Sequence, residues 1–345
     1  MPLADFSSDE LFYLPNLAQI STNGMKQLLS VPASNQSFGL QAMTEEIHAT
    51  FQIESIRSSR NSIRHILNGY APRNEEESRI YGMKRGLDFI ADRQNAITEE
   101  NLHQLYQISS GDYLPDEDRL LPDHFYRHDH VYVVGGEESR EGLPAQQLPD
   151  AMKQLVDFTN AKDGINELHK AAILHFAFAY YHPYFDGNGR TARLLHLWYL
   201  VQQGYPAALF TPFSRYIAES KSAYYKAYAR VEKNALTSGY TDVTPFLSYF
   251  CNEVYNRLQV DVIPPQADLQ VYQTALANGK ITEKERLLWE YVLSAYGTEE
   301  FTTKQLEKDF RNAAYATIRT FVMKFHEMGL LATGKAGNRV YYKVR

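Results

Sequence analysis

The sequence predicts a mainly α protein: a large helical bundle interrupted by one short β-hairpin and followed by a small module of three helices and two strands. Three observations lead there. Through most of residues 40–260 apolar side chains recur at spacings of three and four, as in Ile47, Phe51 and Ile56 and again in Leu168, Ala171, Ala172 and Phe176, the period of a helix with one buried face. Hydrophobic residues make up 44% of 345, enough to bury a large core, and the length suggests two domains with a small third region. Paired prolines in Val262-Ile263-Pro264-Pro265 stop the helical pattern just before the charge balance changes, which marks a domain boundary.

In chain order, residues 1–75 form an N-terminal helical region holding a helix at about 41–56, and residues 76–262 the main helical domain. The exception to helical periodicity is 125–135, Phe125-Tyr126-Arg127-His128-Asp129-His130-Val131-Tyr132-Val133-Val134-Gly135, where aromatic and β-branched residues dominate and Gly135-Gly136 supplies a turn; a β-hairpin is expected there. The segment from Gly142-Leu143-Pro144 to Leu148-Pro149-Asp150 leads into a helix that Asp150 could cap. Beyond the boundary, 282–295 read as an amphipathic helix, Thr303 as the cap of a second through Phe310, and Ala313–Met328 as a third with Ile318, Phe321, Val322 and Phe325 inward. Leu330–Thr333 and Arg339–Lys343 then alternate around Gly334-Lys335-Ala336-Gly337-Asn338 as a two-strand wing. Residues 266–345 therefore resemble a winged helix-turn-helix.

Composition narrows the function. Cys251 is the only cysteine, so an intrachain disulfide and a tetrathiolate zinc site are excluded and a reducing compartment fits best. No stretch approaches the ~18 apolar residues of a membrane span and the first residues lack a basic, then apolar, leader pattern, so a soluble cytoplasmic protein is expected. The formal charge of −6 is uneven: residues 280–345 hold 12 Lys+Arg against 8 Asp+Glu. That asymmetry points to a C-terminal module with its own partner.

The chemistry is concentrated in His182-Pro183-Tyr184-Phe185-Asp186-Gly187-Asn188-Gly189-Arg190-Thr191-Ala192-Arg193. Pro183 ends the preceding helix, because the residue before proline is pushed out of the α region, and Gly187 and Gly189 free the backbone for a tight turn. Helical periodicity restarts over Thr191–Val201. A glycine-rich turn feeding a helix N-terminus presents free N–H groups to an anion. Arg190 and Arg193, three apart on the first helical turn, can grip phosphate oxygens. Asp186 offers the hard oxygen that a phosphate-bound Mg²⁺ requires, and His182 an imidazole able to take a proton from a hydroxyl.

This segment resembles the Fic motif, His-Pro-Phe-x-(Asp/Glu)-Gly-Asn-Gly-Arg-x-x-Arg, with Tyr184 in place of the phenylalanine. The resemblance covers roughly residues 40–255 and implies a Fic helical bundle with a hairpin flap that holds a target segment by strand addition. Read residue by residue, it implies a protein adenylyltransferase that moves AMP from ATP to Ser, Thr or Tyr hydroxyls and releases pyrophosphate. His182 would be the general base and Asp186 the Mg²⁺ ligand. Gly187, Asn188, Gly189 and Thr191 would line the phosphate site, with Arg190 on the β-phosphate and Arg193 on the γ-phosphate. Val133, Val134 and Gly135 of the flap and Tyr224 of Ser222-Ala223-Tyr224-Tyr225 would lie near the nucleotide. Gly189 stands where a phosphate-transferring branch carries Lys, which favours nucleotidyl transfer. Thr50-Phe51-Gln52-Ile53-Glu54-Ser55 resembles the family's inhibitory motif, a Ser or Thr, three residues, Glu, then Gly or Asn, and implies that Glu54 pairs with Arg193 and blocks ATP. Ser55 departs from that pattern.

A dinucleotide fingerprint is met by Gly187, Gly189 and Ala192, but no strand precedes it and no acid follows near Thr211. His124, His128, Asp129 and His130 read more simply as a solvated edge than as a metal site, and His175 as a buried, hydrogen-bonded histidine. The C-terminal module could bind DNA through Arg311, Arg319, Lys324, Lys335 and Arg339, or serve protein contacts instead. De-AMPylation by the same site is a further alternative, and the family often dimerises through helical faces.

Overall fold

The computed structural model describes residues 11–21, 40–134, 139–205, 208, 211–258, 266–296, 300–337 and 339–345. It is mostly helical. The helices that matter for the site are α1 (Leu40–Ile53), α2 (Arg60–Leu67), α3 (Glu75–Ala91), α4 (Glu99–Ser109), α5 (Leu148–Asn160), α6 (Glu167–Tyr181), α7 (Asn188–Gln202), α8 (Phe213–Glu219), α9 (Lys221–Ser238) and α10 (Thr244–Tyr249).

Helices α6 and α7 form the centre. Every residue from Leu168 to Phe178 and from Arg190 to Val201 is buried, and a helix apolar on all sides belongs in a core rather than at a surface. They pack on each other, with α3, α4, α5 and α10 against them and α1 laid on α8. Local chemistry sets the ends. Asn166 caps α6 by accepting from the N–H groups of Leu168 and His169, Thr98 caps α4, and Asn74 caps α3, whose first turn carries Glu75, Glu76 and Glu77 in the favourable dipole position.

Two core histidines are legible as structural. His175 and His196 are fully buried, and their Nε2 atoms lie 2.8 Å from the hydroxyls of Tyr224 and Tyr255. Burial holds His175 well below the ordinary imidazole range and lowers His196 to about 3. The unfolded chain takes up protons near pH 6.5 while the folded chain does not, so stability is full above that pH and is lost as pH falls. Each histidine should contribute a slope of about 1.4 kcal/mol per pH unit below the unfolded value. Urea unfolding midpoints measured at pH 7, 6 and 5 are expected to fall steadily, and an unchanged midpoint would contradict the assignment.

The hairpin is shorter than the sequence pattern suggests. Only β2 (Tyr132–Val134) and β3 (Ser139–Glu141) pair there, antiparallel, with Val133 opposite Arg140, while β1 (Leu11–Phe12) and β4 (Thr241–Asp242) form a separate parallel pair. Residues 125–131 are loop because Tyr126 is buried and the Arg127 guanidinium is spent on backbone carbonyls. Gly135 and Gly136 lie outside the described residues. Asp150 does not cap α5: Gln147 occupies that place, Pro149 sits in the first turn, and Asp150 lies in the same turn, near the positive end of the dipole.

The C-terminal module opens on a helix absent from the sequence-based expectation, α11 (Gln266–Ala277), and the expected elements then follow with adjusted edges: α12 (Glu283–Ala295), α13 (Thr303–Phe310), α14 (Tyr315–Glu327), β5 (Leu331–Ala336) and β6 (Arg339–Val344). Thr302, not Thr303, caps α13, and Gly334, Lys335 and Ala336 belong to the first strand rather than the turn. Ile318, Phe321, Val322 and Phe325 are buried as expected, in a core separate from that of the bundle. Val262-Ile263-Pro264-Pro265 fall outside the described residues. This second core docks on the N-terminal helices, where α12 packs on α1 and the Arg311 guanidinium lies 3.6 Å from the centre of the Tyr70 ring. Lys324 is tied to Glu285 at 2.8 Å. Of the five cations considered for DNA, Arg319, Lys335 and Arg339 are left exposed without such ties among the described residues.

Candidate active site

Helix α6 delivers His182 to its C-terminal end. His182 adopts a left-handed backbone, φ 55° and ψ 59°, and Pro183 prevents the helix from continuing. The loop is then pinned from outside: Arg127 Nε donates to His182 O at 2.8 Å, and Arg127 N–H donates to Pro183 O at 2.9 Å. Tyr184 is fully buried and stacks on Tyr106 with ring centres 3.5 Å apart, so it keeps the packing role of a phenylalanine.

Gly187 opens α7 with φ 83°, and a Cβ there would lie 2.7 Å from Ser110 Cβ; only glycine fits. The Asn188 side chain staples the turn by accepting from Tyr184 N–H at 2.9 Å and donating to Tyr184 O at 2.8 Å. What Asn188 can offer an anion is therefore its backbone N–H. Thr191 does not reach the cavity, because its buried hydroxyl donates to Gly187 O at 3.0 Å. Its place in the expected phosphate site is structural.

A cavity of about 650 Å³ gathers Glu54, Tyr132, Val133, His182, Asp186, Asn188, Gly189, Arg193 and Tyr224, among others. Of the expected flap residues, Val133 lines it, Val134 is placed only as strand backbone, and Gly135 lies outside the described residues. Tyr224 lines it with its hydroxyl held by His175.

The cations are buried and preorganised. Arg193 Nε donates to Thr50 Oγ1 at 2.5 Å and Nη2 to Glu54 Oε1 at 2.5 Å. Arg190 Nη2 pairs with Asp186 Oδ2 at 2.7 Å, while its buried Nε has no hydrogen-bond partner among the described residues and lies 4.0 Å from Glu54 Oε2. A Cβ at Gly189 would collide with Glu54 Oε1. The Glu54 carboxylate thus occupies the space in front of the α7 N-terminus, where an anion is electrostatically favoured.

The helix expected at about 41–56 stops at Ile53, so Glu54 lies one position beyond the end of α1. Ile56 N–H bonds Phe51 O at 2.9 Å and Ser55 N–H bonds Gln52 O at 3.2 Å, the paired bonds of a Schellman ending. Ser55 sits at its left-handed position with φ 58°. The Gly or Asn that the inhibitory pattern calls for is the residue type this backbone favours, and serine there costs about 1 kcal/mol. Ser55→Gly should stabilise the fold by about that amount in urea unfolding; no gain would mean the turn relaxes.

His182 lies with Nδ1 3.4 Å from Ala179 O, an arrangement that places the proton on Nδ1 and leaves Nε2 with a lone pair. Burial first, then the Arg140 guanidinium, lowers its pKa to about 4, with Arg127 acting the same way and the Ala179 bond and Glu54 opposing. It is neutral near pH 7. Asp186, with 47% of its side chain exposed, is a single carboxylate beside a phosphate-sized cradle, the donor set with which Mg²⁺ is bound together with substrate phosphates and water.

Sequence reasoning missed Arg127, Arg140 and Glu232. Arg140 and Glu232 line the cavity and pair at 2.7 Å. No local pattern joins them, since one lies in the hairpin and the other on α9.

Comparison with known proteins adds four matches. Residues 96–200 match the model of the Fic/DOC family. The chain is 30% identical over 126 residues to protein adenylyltransferase fic-1 of Caenorhabditis elegans, covering 29% of this chain and 25% of that protein. It is 29% identical over 131 residues to a probable protein adenylyltransferase of Aquifex aeolicus, covering 37% of this chain and 40% of that protein. The chain therefore spans between a quarter and two-fifths of the length of these relatives. A solved structure of a Fic family protein from Desulfovibrio desulfuricans superposes with a TM-score of 0.54 at 18% identity, over 88% of this chain and 86% of that one, a likeness of fold.

Proposed function

We propose that this chain, whose residues 96–200 match the model of the Fic/DOC family, transfers AMP from ATP to a hydroxyl group of a target protein, and that Glu54 restrains the reaction. One observation carries the reading: the buried Arg193 guanidinium and the N-terminus of α7 line a cavity shared with a neutral imidazole, and the anion in front of them, 4.0 Å from Arg190 Nε, is the side chain of Glu54 just beyond the end of α1. An orphan buried N–H such as Arg190 Nε is costly unless an anion meets it, and a triphosphate would supply one.

In the proposed reaction His182 Nε2 takes the proton of a Ser, Thr or Tyr hydroxyl. The hydroxyl oxygen forms a bond to the α-phosphorus, the bond from that phosphorus to the bridging oxygen of the β-phosphate breaks, and pyrophosphate leaves. Arg190, Arg193 and the N–H groups of Asn188 and Gly189 would hold the phosphates in line, so the chain contributes positioning and charge stabilisation. Mg²⁺ on Asp186, when bound, would neutralise phosphate charge. The hairpin edge at Tyr132 and Val133 would hold the target segment. Residues 266–345 would form a separate winged-helix domain; with Lys324 and Arg311 already engaged, a DNA-binding role rests on fewer cations than the sequence suggested, and the enzymatic reading is the better supported.

The deciding experiment supplies ATP labelled on either the α- or the γ-phosphate, with cell-lysate protein as acceptor. Label from the α-position alone is expected. Label from the γ-position alone would replace AMP transfer with phosphate transfer.

A further inference from the structure

We propose that Arg140, on the return strand of the hairpin, is a positioning residue for the reaction proposed above: it clamps the hairpin to α6 and α9 and orients the His182 imidazole through a shared carbonyl. The inference rests on the functional reading, but its first test does not.

The guanidinium is committed on every edge. Nε pairs with Glu232 of α9 at 2.7 Å, Nη2 donates to Ala179 O of α6 at 3.1 Å, Nη1 donates to Glu141 O at 3.1 Å, and the group lies 4.4 Å from the centre of the Tyr180 ring. A hairpin with three residues in each strand has little stability of its own, so its place over the cavity depends on such an anchor. Val133 is the cross-strand partner of Arg140, which makes this clamp the feature that sets Val133 at the cavity wall.

The same carbonyl, Ala179 O, faces His182 Nδ1 at 3.4 Å. Arg140 fixes this acceptor, and the acceptor fixes the tautomer. The chain just after the strand lies against His182, since a Cβ at Gly142 would come within 3.3 Å of His182 Cβ. The charges facing His182 come from several elements: Arg140 from β3, Arg127 from the loop before β2, Glu54 after α1, Asp186 and Arg193 from the loop and α7, and Lys221 and Glu232 from α9. Among the cations, Arg140 is the one that also shares a hydrogen-bond acceptor with the ring.

The test begins without substrate. The His182 ring is followed by NMR titration in wild type, Arg140→Ala and Arg140→Lys, with circular-dichroism melting to confirm folding. His182 should titrate near 4 in wild type, move up toward the ordinary value in Arg140→Ala, and stay low in Arg140→Lys, which keeps the charge. In AMP transfer, Arg140→Ala should lower kcat roughly tenfold with little change in KM for ATP, and Arg140→Lys should recover most of that loss. Should Arg140→Ala fail to fold, Arg140→Gln replaces it, keeping a donor for Ala179 O but losing the charge, and the upward shift is again expected. An unchanged His182 titration in the neutral variant, or a loss expressed in KM for ATP alone, overturns the proposal. If wild type transfers no AMP while the titration moves as stated, the reaction is wrong and the hold of Arg140 on the imidazole stands.

Discussion

Glu54→Gly is expected to raise the initial rate of AMP incorporation by roughly 10- to 100-fold, the range of a coupling worth a few kcal/mol. The carboxylate takes Arg193 Nη2 at 2.5 Å, stands 4.0 Å from Arg190 Nε and fills the space over Gly189. In the proposed reaction a nucleotide phosphate would need those same donors, so the two anions would compete for one place. Removing Glu54 leaves the donors correctly aimed, because Thr50 Oγ1 still holds Arg193 Nε. It also leaves a buried guanidinium without its counter-charge, which destabilises a fold. The variant should therefore melt lower than wild type in the absence of nucleotide and gain more from added ATP, since a ligand that binds only the folded state stabilises it by mass action. Rates are measured with α-labelled ATP and Mg²⁺, and melting with and without ATP. An unchanged rate combined with an unchanged response to ATP would remove the brake from the account.

The site is legible in the sequence where its parts are close along the chain. His182, Pro183, Gly187, Asn188 and Arg190 act within one turn, and each has a local reason that survives folding: proline stops a helix, glycine accepts φ 83°, and the next helix begins at Asn188. Glu54 and Arg193 lie far apart in sequence, and their pairing was implied through family resemblance rather than spacing. The part that was not legible is held by long-range side-chain bonds. Residues 125–131 have strand-like composition, yet Arg127 binds the carbonyls of His182 and Asp129 and keeps the segment irregular. Composition reports propensity, and here tertiary hydrogen bonds override it. The Thr191 hydroxyl is turned away from the cavity for the opposite reason: it is so close to the turn that closing the turn uses it.

The largest effect should come from His182. His182→Ala is expected to reduce AMP transfer by about 10²- to 10⁴-fold, the usual worth of a positioned general base. Alanine also tolerates the left-handed backbone poorly, so His182→Asn serves as the companion variant, because asparagine accepts that conformation. Equal losses in both, with melting near wild type for His182→Asn, would assign the effect to the missing base. The pH dependence supplies an independent check. With burial lowering the imidazole to about 4, the base keeps its lone pair as pH falls through 6.5, and activity should be lost only as pH drops toward the lowered value. In nucleotide-free enzyme an ordinary imidazole would already be half protonated near pH 6.5. An acid limb of kcat/KM centred there, rather than well below it, would mean that the ring is solvated in the working state and that the closed geometry around Ala179 is not the one in which the proton moves.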